Sequence, residues 1–369
     1  MDNKIEKLSD TVVSYSLKVK ENDRVLITSY SNHTKPLIFS LIDKIISVKG
    51  IPVVRILDSD VEVYLLKRTL NNKLELIEKQ AMFDVDNFDC FINIRYVNND
   101  YEESNVDDEI MKLVKNAKKD ANFIRVNERR WVLLNYPSAL DAYKAKMSNR
   151  EFFDYAMNAM TLDYKKMSID VLPLKALMEK TKMVRIVAPE TDITFSIEGM
   201  PAIPCFGECN IPDGEIYTAP ILDSVNGKIT YNTKSPYNGK VFNHISLEFK
   251  NGKIISCTCD EDNNELEKIF NTDEGARYVG EFSFGLNPLI KNPMGDILYD
   301  EKIIGSIHFT PGAAYMDAFN GNKSNIHWDL VLIQREEYGG GEIYFDHVLI
   351  RKDGKFVLNE LLPLNYDLK

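Results

Sequence analysis

Apolar residues are spaced in two different ways along this chain of 369 residues, and the change from one to the other divides it. From Arg24 the run RVLIT reads as a strand. Leu37, Ile38, Leu41, Ile42, Ile45 and Ile46 then recur at helical spacing, Gly50 stops the helix, and PVVRIL returns to a strand. A helical region follows over 61–80, then the strand FINIRYV from Phe91, an amphipathic helix through Ile110, Leu113, Val114 and Ala117, and a strand FIRV from Phe123. Alternation of this kind predicts a mostly parallel sheet covered by helices. Ser148 and Glu151 have the spacing of a capping box, opening a helix through Phe152, Phe153, Ala156 and Met160, and Pro173 breaks or restarts it. Beyond about residue 182 the period shortens to two, as in TDITFSI, with hairpin signals at Asn226-Gly227, Asn251-Gly252 and Asp353-Gly354. The expected architecture is an α/β N-terminal domain with a mostly parallel sheet and linking helices over 1–175. An α+β domain rich in antiparallel strands, carrying the chemistry, follows over 176–369.

Composition agrees with two cores, since 44% of the residues are hydrophobic and the length exceeds what one core usually organises. A formal charge of -11 without a dense Lys/Arg stripe argues against nucleic acid and against an anionic membrane surface, both of which need a concentrated positive field. The first residues interleave charges with apolar side chains and lack a signal-like apolar run, so a cytoplasmic location is expected. Five cysteines fit a reducing compartment rather than a disulfide framework. A four-cysteine zinc site drawn from Cys205, Cys209, Cys257 and Cys259 has neither pair at C-x-x-C spacing, which leaves buried thiols as the simpler reading. The first strand is not followed by G-x-G-x-x-G and the chain has no phosphate-loop motif, so a nucleotide-dependent enzyme is disfavoured.

The richest chemistry lies between His308 and Asp329, a stretch that also holds Tyr315 and His327 in a chain with only five histidines. Two carboxylates stand upstream in unusual settings: Glu215 after the turn-forming run NIPDG, and Glu281 inside the nearly uncharged VGEFSFG. A carboxylate buried there needs a cation or a proton to compensate it. His327 and Asp329, two residues apart in an extended run, project to the same side and reach one ion together. Imidazole nitrogen with carboxylate oxygen is the donor mixture of a hydrolytic zinc, cobalt or manganese centre. For each residue alone the bland reading is a solvated charge or a satisfied core histidine. Their joint occurrence favours a metal-dependent hydrolase. His33, His244 and His347 lack such company.

The runs NIPDGEIYTAP, VGEFSFGLNP, DEKIIGSIHFTPGAAY and SNIHWD resemble motifs of the aminopeptidase T and aminopeptidase S family of dimetal metallopeptidases, and RRWVLLNYPS with MSNREFFDYAMNAMTLDY resembles that family's linking region. The resemblance implies an α/β domain followed by a catalytic domain, two divalent metal ions (Zn, Co, Mn or Mg), a homodimer, and release of N-terminal amino acids from peptides with a free N-terminus. Carried over by position, it implies Glu215, Glu281, His308, His327 and Asp329 as metal ligands, with Glu301 as a further one at altered spacing to the histidine. Tyr315 corresponds to the active-site tyrosine. Two such ions lower the pKa of a shared water toward about 7. Glu281 is then the expected general base and Tyr315 the donor to the tetrahedral oxyanion. A non-peptidase amide or ester hydrolase, or an inactive binding protein of the same fold, are the rival expectations.

Overall fold

The first strand-helix-strand unit forms as its periodicity predicts. In the computed structural model, which describes residues 3–68, 71–102 and 106–366, β1 (Arg24–Ser29) and β2 (Ile51–Ile56) pair in parallel and are joined through α2 (Lys35–Ser47). Leu37, Ile38, Leu41 and Ile45 are buried along one face of that helix. It is preceded by α1 (Asn3–Asp10) and followed by α3 (Ser59–Leu66) and α4 (Asn71–Asn87), then β3 (Cys90–Arg95), α5 (Asp108–Ala117), α6 (Lys119–Glu128), β4 (Arg130–Asn135), α7 (Ala139–Lys144) and α8 (Asn149–Met160). The sheet is parallel in the order β2-β1-β3-β4, and the short β8 (Asn210–Ile211) adds to β4. Residues 1–162 and 207–212 form one compact unit, and 163–206 with 213–369 form a second.

One expectation in the first unit fails. Residues FIRV from Phe123 are not a strand but part of α6. Ala121 and Ile124, three apart, pack against the cluster of Leu26, Val85 and Phe91, while Phe123 and Val126 are exposed. A strand needs alternation over two residues, and here the buried positions repeat over three. The fourth strand is RWVLLN, in which Val132 and Leu134 alternate into the core. The Ser148 capping box does form: Ser148 Oγ accepts from Glu151 N, and Glu151 Oε2 accepts from Ser148 N at 2.9 Å.

The second unit opens with α9 (Tyr164–Asp170) and α10 (Leu172–Met178), the latter restarted with Pro173 in its first turn. Strands then dominate: β5 (Met183–Ala188), β6 (Thr191–Ser196), β7 (Ile203–Cys205), β9 (Glu215–Thr218), β10 (Asn226–Thr230), β11 (Ser235–Tyr237), β12 (Lys240–Phe242), β13 (Ser246–Lys250) and β14 (Lys253–Thr258). After α11 (Asn263–Phe270) come β15 (Val279–Gly285), α12 (Ile297–Asp300), β16 (Ser306–Pro311), β17 (Val331–Ile333), β18 (Glu342–Phe345), β19 (Val348–Lys352) and β20 (Lys355–Phe356). Eight strands make one antiparallel sheet, β14-β13-β10-β6-β5-β18-β19-β20, and five make another, β17-β16-β15-β9-β7. Phe195 from the large sheet meets Phe282 and Phe309 from the small one, each at 5.0 Å between ring centroids, and Phe345 meets Phe284 at 6.2 Å. Aromatic packing of this kind makes the sandwich core.

Asn251-Gly252 and Asp353-Gly354 do turn hairpins, between β13 and β14 and between β19 and β20. Asn226-Gly227 does not. It opens β10, flanked by β6 and β13, with Gly227 at φ 111° and so close to β6 that a Cβ would lie 2.2 Å from the Asp192 carbonyl oxygen. The glycine serves close backbone approach inside a sheet. Another Asn-Gly pair, Asn238-Gly239, turns the β11–β12 hairpin. Among the described residues no helix is long and apolar enough to cross a membrane.

Candidate metal centre

The centre is built on one face of the five-stranded sheet, and the two-residue repeat of its strands decides which side chains arrive there. In β15, Phe282 and Phe284 face the sandwich core, so Glu281 and Ser283 face the other way. Across the ladder Glu281 pairs with Thr310 and Ser283 with His308 of β16, while Ser283 pairs with Tyr217 and Gly285 with Glu215 of β9. Directly paired residues share a face, so Glu215, Tyr217, Glu281, Ser283, His308 and Thr310 stand together. The register slips between Val279 and Glu281, at Gly280, where a Cβ would lie 2.3 Å from the Ala313 carbonyl oxygen. His327 is not in a strand as expected, but in an isolated bridge to Gly312; the extended run from it toward β17 still puts His327 and Asp329 on one side.

Glu281 joins the two halves of the cluster. Its Oε1 lies 2.9 Å from His308 Nε2 and its Oε2 lies 3.3 Å from His327 Nε2. His308 Nε2 is also 3.3 Å from Glu215 Oε2, and His327 Nε2 is 3.2 Å from Asp329 Oδ1. Glu215–Glu281–His308 and Glu281–His327–Asp329 are thus two triads, each with its donor atoms within 4.8 Å of one another. Both imidazoles are oriented from behind. Nδ1 of His308 donates to the Glu301 carbonyl at 3.2 Å and Nδ1 of His327 to the Ala313 carbonyl at 2.8 Å, which aims both Nε2 atoms into the cluster. Thr310 Oγ1 donates to Asp329 Oδ1 at 2.8 Å, and Ser283 Oγ to Glu215 Oε2 at 3.2 Å.

Electrostatics mark the same atoms. Glu281 and His308 are 2% and 1% exposed. Burial opposes charge on His308, but the Glu281 hydrogen bond and the charges of Glu215, Glu281 and Asp329 push its pKa up to about 9. His327 is likewise held up, against burial, by Asp329 and Glu281. Burial would raise the Glu281 carboxyl, yet the hydrogen bond from His308 and the close approach of both imidazoles bring it below the usual range. Glu281 Oε2 is buried with no hydrogen bond among the described residues, because the 3.3 Å approach of His327 lacks the geometry of one. Carboxylates packed this tightly need positive charge among them, supplied by protons on imidazole or by cations. Oriented Nε2 donors, paired carboxylates and a buried oxygen without a hydrogen bond together fit a divalent cation.

Tyr315 lies just beyond β16 at the rim, with its ring 4.6 Å from the His327 ring and 5.6 Å from that of Tyr217. It is 50% exposed, and its phenol is held above the ordinary range by burial first and by the Glu281 and Asp329 charges second. Glu301 lies close by but outside both triads: its carboxylate is ion-paired with Lys302. Lys302, 0% exposed, is the residue that the sequence did not bring forward. An adjacent Glu-Lys pair looks like an ordinary surface feature, and nothing local marks its burial. Ser283 and Thr310 are also missed by the sequence reading, although their parity with Glu281 and His308 on their strands is a signal that marks them. No cysteine joins a candidate metal group among the described residues, and none of the five forms a disulfide. His33 stacks on Tyr96, and His244 lies between Glu190 and Asp260; neither joins a candidate metal group among the described residues.

Comparisons with known proteins point the same way. A family model described as thermophilic metalloprotease (M29) matches residues 1–356. Aminopeptidase 2 from Geobacillus stearothermophilus is 29% identical over 167 residues, which covers 40% of this chain and 37% of that protein. Aminopeptidase T from Thermus aquaticus is 29% identical over 119 residues, covering 31% of this chain and 29% of that protein. These curated relatives are matched over less than half of their length. The solved structure of wild-type AmpT from Thermus thermophilus matches with a TM-score of 0.79 over 96% of this chain and 99% of that one, at 18% identity, a likeness of fold.

Proposed function

Since the chain belongs to the thermophilic metalloprotease (M29) family, we propose that it is a metal-dependent aminopeptidase that hydrolyses the first peptide bond of peptides with a free N-terminus. The observation that carries this reading is the meeting of two carboxylate-imidazole triads at one shared residue, Glu281, beside the phenol of Tyr315. Glu215, Glu281 and His308 hold one divalent ion, and Glu281, His327 and Asp329 the other, drawn from Zn, Co, Mn or Mg, which such donors all accept. When bound, these ions supply a water acidified to near neutral pH and an electrophilic pull on the peptide carbonyl.

The remaining steps belong to side chains. Glu281 takes the proton of the attacking water and delivers it to the departing amine, and its buried setting keeps competing water away from the carboxylate. Tyr315, half exposed at the rim, donates its hydroxyl proton in a hydrogen bond to the tetrahedral oxyanion. Ser283 and Thr310 hold Glu215 and Asp329 in place. Glu301 acts through Lys302 and its backbone carbonyl rather than as a direct ligand. We take the working form to be a cytoplasmic homodimer, in keeping with cysteines outside disulfides and with the family resemblance.

The test is hydrolysis of an aminoacyl p-nitroanilide by the metal-loaded chain, set against the same substrate acetylated on its α-amine. Turnover of the free-amine substrate alone, lowered about 100-fold or more in Glu281→Gln, is the expected result. Equal turnover of both substrates would replace an aminopeptidase with a broader amidase, and no turnover with metal bound would remove the hydrolase.

A further inference from the structure

Lys302 is a charged side chain of the cluster with no part in ion holding or proton transfer, and its placement is specific. It is fully buried, with Nζ 2.8 Å from Glu215 Oε1, ion-paired with Glu301, and 4.0 Å from Asp213 Oδ1. Its backbone is pinned from both sides: Lys302 N donates to the Tyr299 carbonyl at 3.0 Å, and its own carbonyl accepts from Asn287 N at 3.0 Å. An ammonium so deep is stable only among carboxylates, and here it occupies donors that a divalent ion would otherwise use. Glu215 is divided as a result: Oε1 binds Lys302, and only Oε2 turns to His308 and Ser283. Among the described residues the second triad has no such competitor, since Asp329 Oδ1 accepts from the neutral hydroxyl of Thr310 and faces His327.

Resting on the metal-centre reading above, we infer that Lys302 is a built-in competitor for one of the two cations: by engaging Glu301 and one oxygen of Glu215, it makes Glu215–Glu281–His308 the weak, exchangeable place and leaves Glu281–His327–Asp329 as the tight one. An ion in the weak place shares the Glu215 carboxylate with a fixed positive charge, and the two cations repel across it. Lys302 is thus a positioning residue that sets metal occupancy, and the second ion comes and goes with its free concentration.

Cobalt(II) alone is the probe, titrated into the full-length, chelator-stripped chain and followed by calorimetry and by visible absorption. Wild type is expected to retain one ion per chain through desalting and to bind a second at least tenfold more weakly. Lys302→Met frees both carboxylates and is expected to tighten the second ion at least tenfold without moving the first; Lys302→Arg, which keeps the charge, leaves the second ion weak. Asp329→Asn in an otherwise wild-type chain is expected to lose the ion retained through desalting and keep the weak one, which tests the order of the two places even if Lys302→Met does not fold; loss of the weak event instead would overturn the inference. Two equally tight ions in wild type, or a second ion unmoved or loosened in folded Lys302→Met, would overturn the inference and leave the proposed function standing. No cobalt bound at all would overturn both.

Discussion

At the scale of one residue, Tyr315 allows the proposed chemistry to be tested apart from metal holding. Its ring packs beside His327 and Tyr217, and it belongs to neither triad. Tyr315→Phe keeps the ring and removes the donor, so metal content is expected to stay at the wild-type level while kcat falls about 100- to 1,000-fold with KM little changed, as for loss of one oxyanion donor. Parallel metal analysis and steady-state kinetics check it; a rise in KM alone would make the tyrosine a substrate-binding group. Asp329→Asn should behave in the opposite sense, losing metal first. Its Oδ1 is the oxygen that meets His327 Nε2 at 3.2 Å, and activity is expected to return partly as added metal is raised. A variant with full metal content and no activity would contradict the ligand role.

Elements carry the precision of the centre. β15 sets Glu281 between two histidines because its register slips at Gly280, whose Cα lies against the carbonyls of Gly312 and Ala313. Gly280→Ala forces a methyl group to 2.3 Å from the Ala313 oxygen, and that carbonyl also accepts from His327 Nδ1. We expect a loss of about 1–3 kcal/mol in denaturant unfolding, as for an overpacked site, together with weaker metal retention. A variant as stable as wild type would show that the strand can shift at no cost. In the first unit, Ser148→Ala removes one half of a capping box and is expected to cost about 1 kcal/mol, read as an earlier unfolding midpoint with activity per folded molecule unchanged. The capping box was legible because its two partners are three residues apart. The α6 helix was misread for the converse reason: Phe123 and Val126 look like strand residues, and only the pocket formed by Leu26, Val85 and Phe91 selects Ala121 and Ile124 instead.

At the scale of the whole molecule, the proposed ligands fall within the second compact unit, so removal of metal should be felt there. An ion that binds only the folded chain contributes about 4 kcal/mol when its free concentration is a thousand times Kd. Calorimetry with and without a chelator is expected to show the transition of the second unit lowered by several degrees and that of the first unit unmoved. A chelator that shifts neither would separate the cluster from metal binding altogether.

Much about this chain was already present in local spacing. The parallel and antiparallel halves follow from periods of two and about 3.6 residues, which depend only on backbone geometry, and the capping box and two of the three expected hairpins from residue types at fixed offsets. What local spacing could not decide was the partner of each polar group across the sheet. The sequence marks Glu301 as a further ligand and leaves Lys302 unmarked; only folding buries Lys302 against Glu215, 87 positions away along the chain, because desolvation and Coulomb attraction depend on distance in space. The residue types pointed to a metal centre; the tertiary structure alone decided that one oxygen of Glu215 faces an ammonium, because that contact joins segments far apart in the chain.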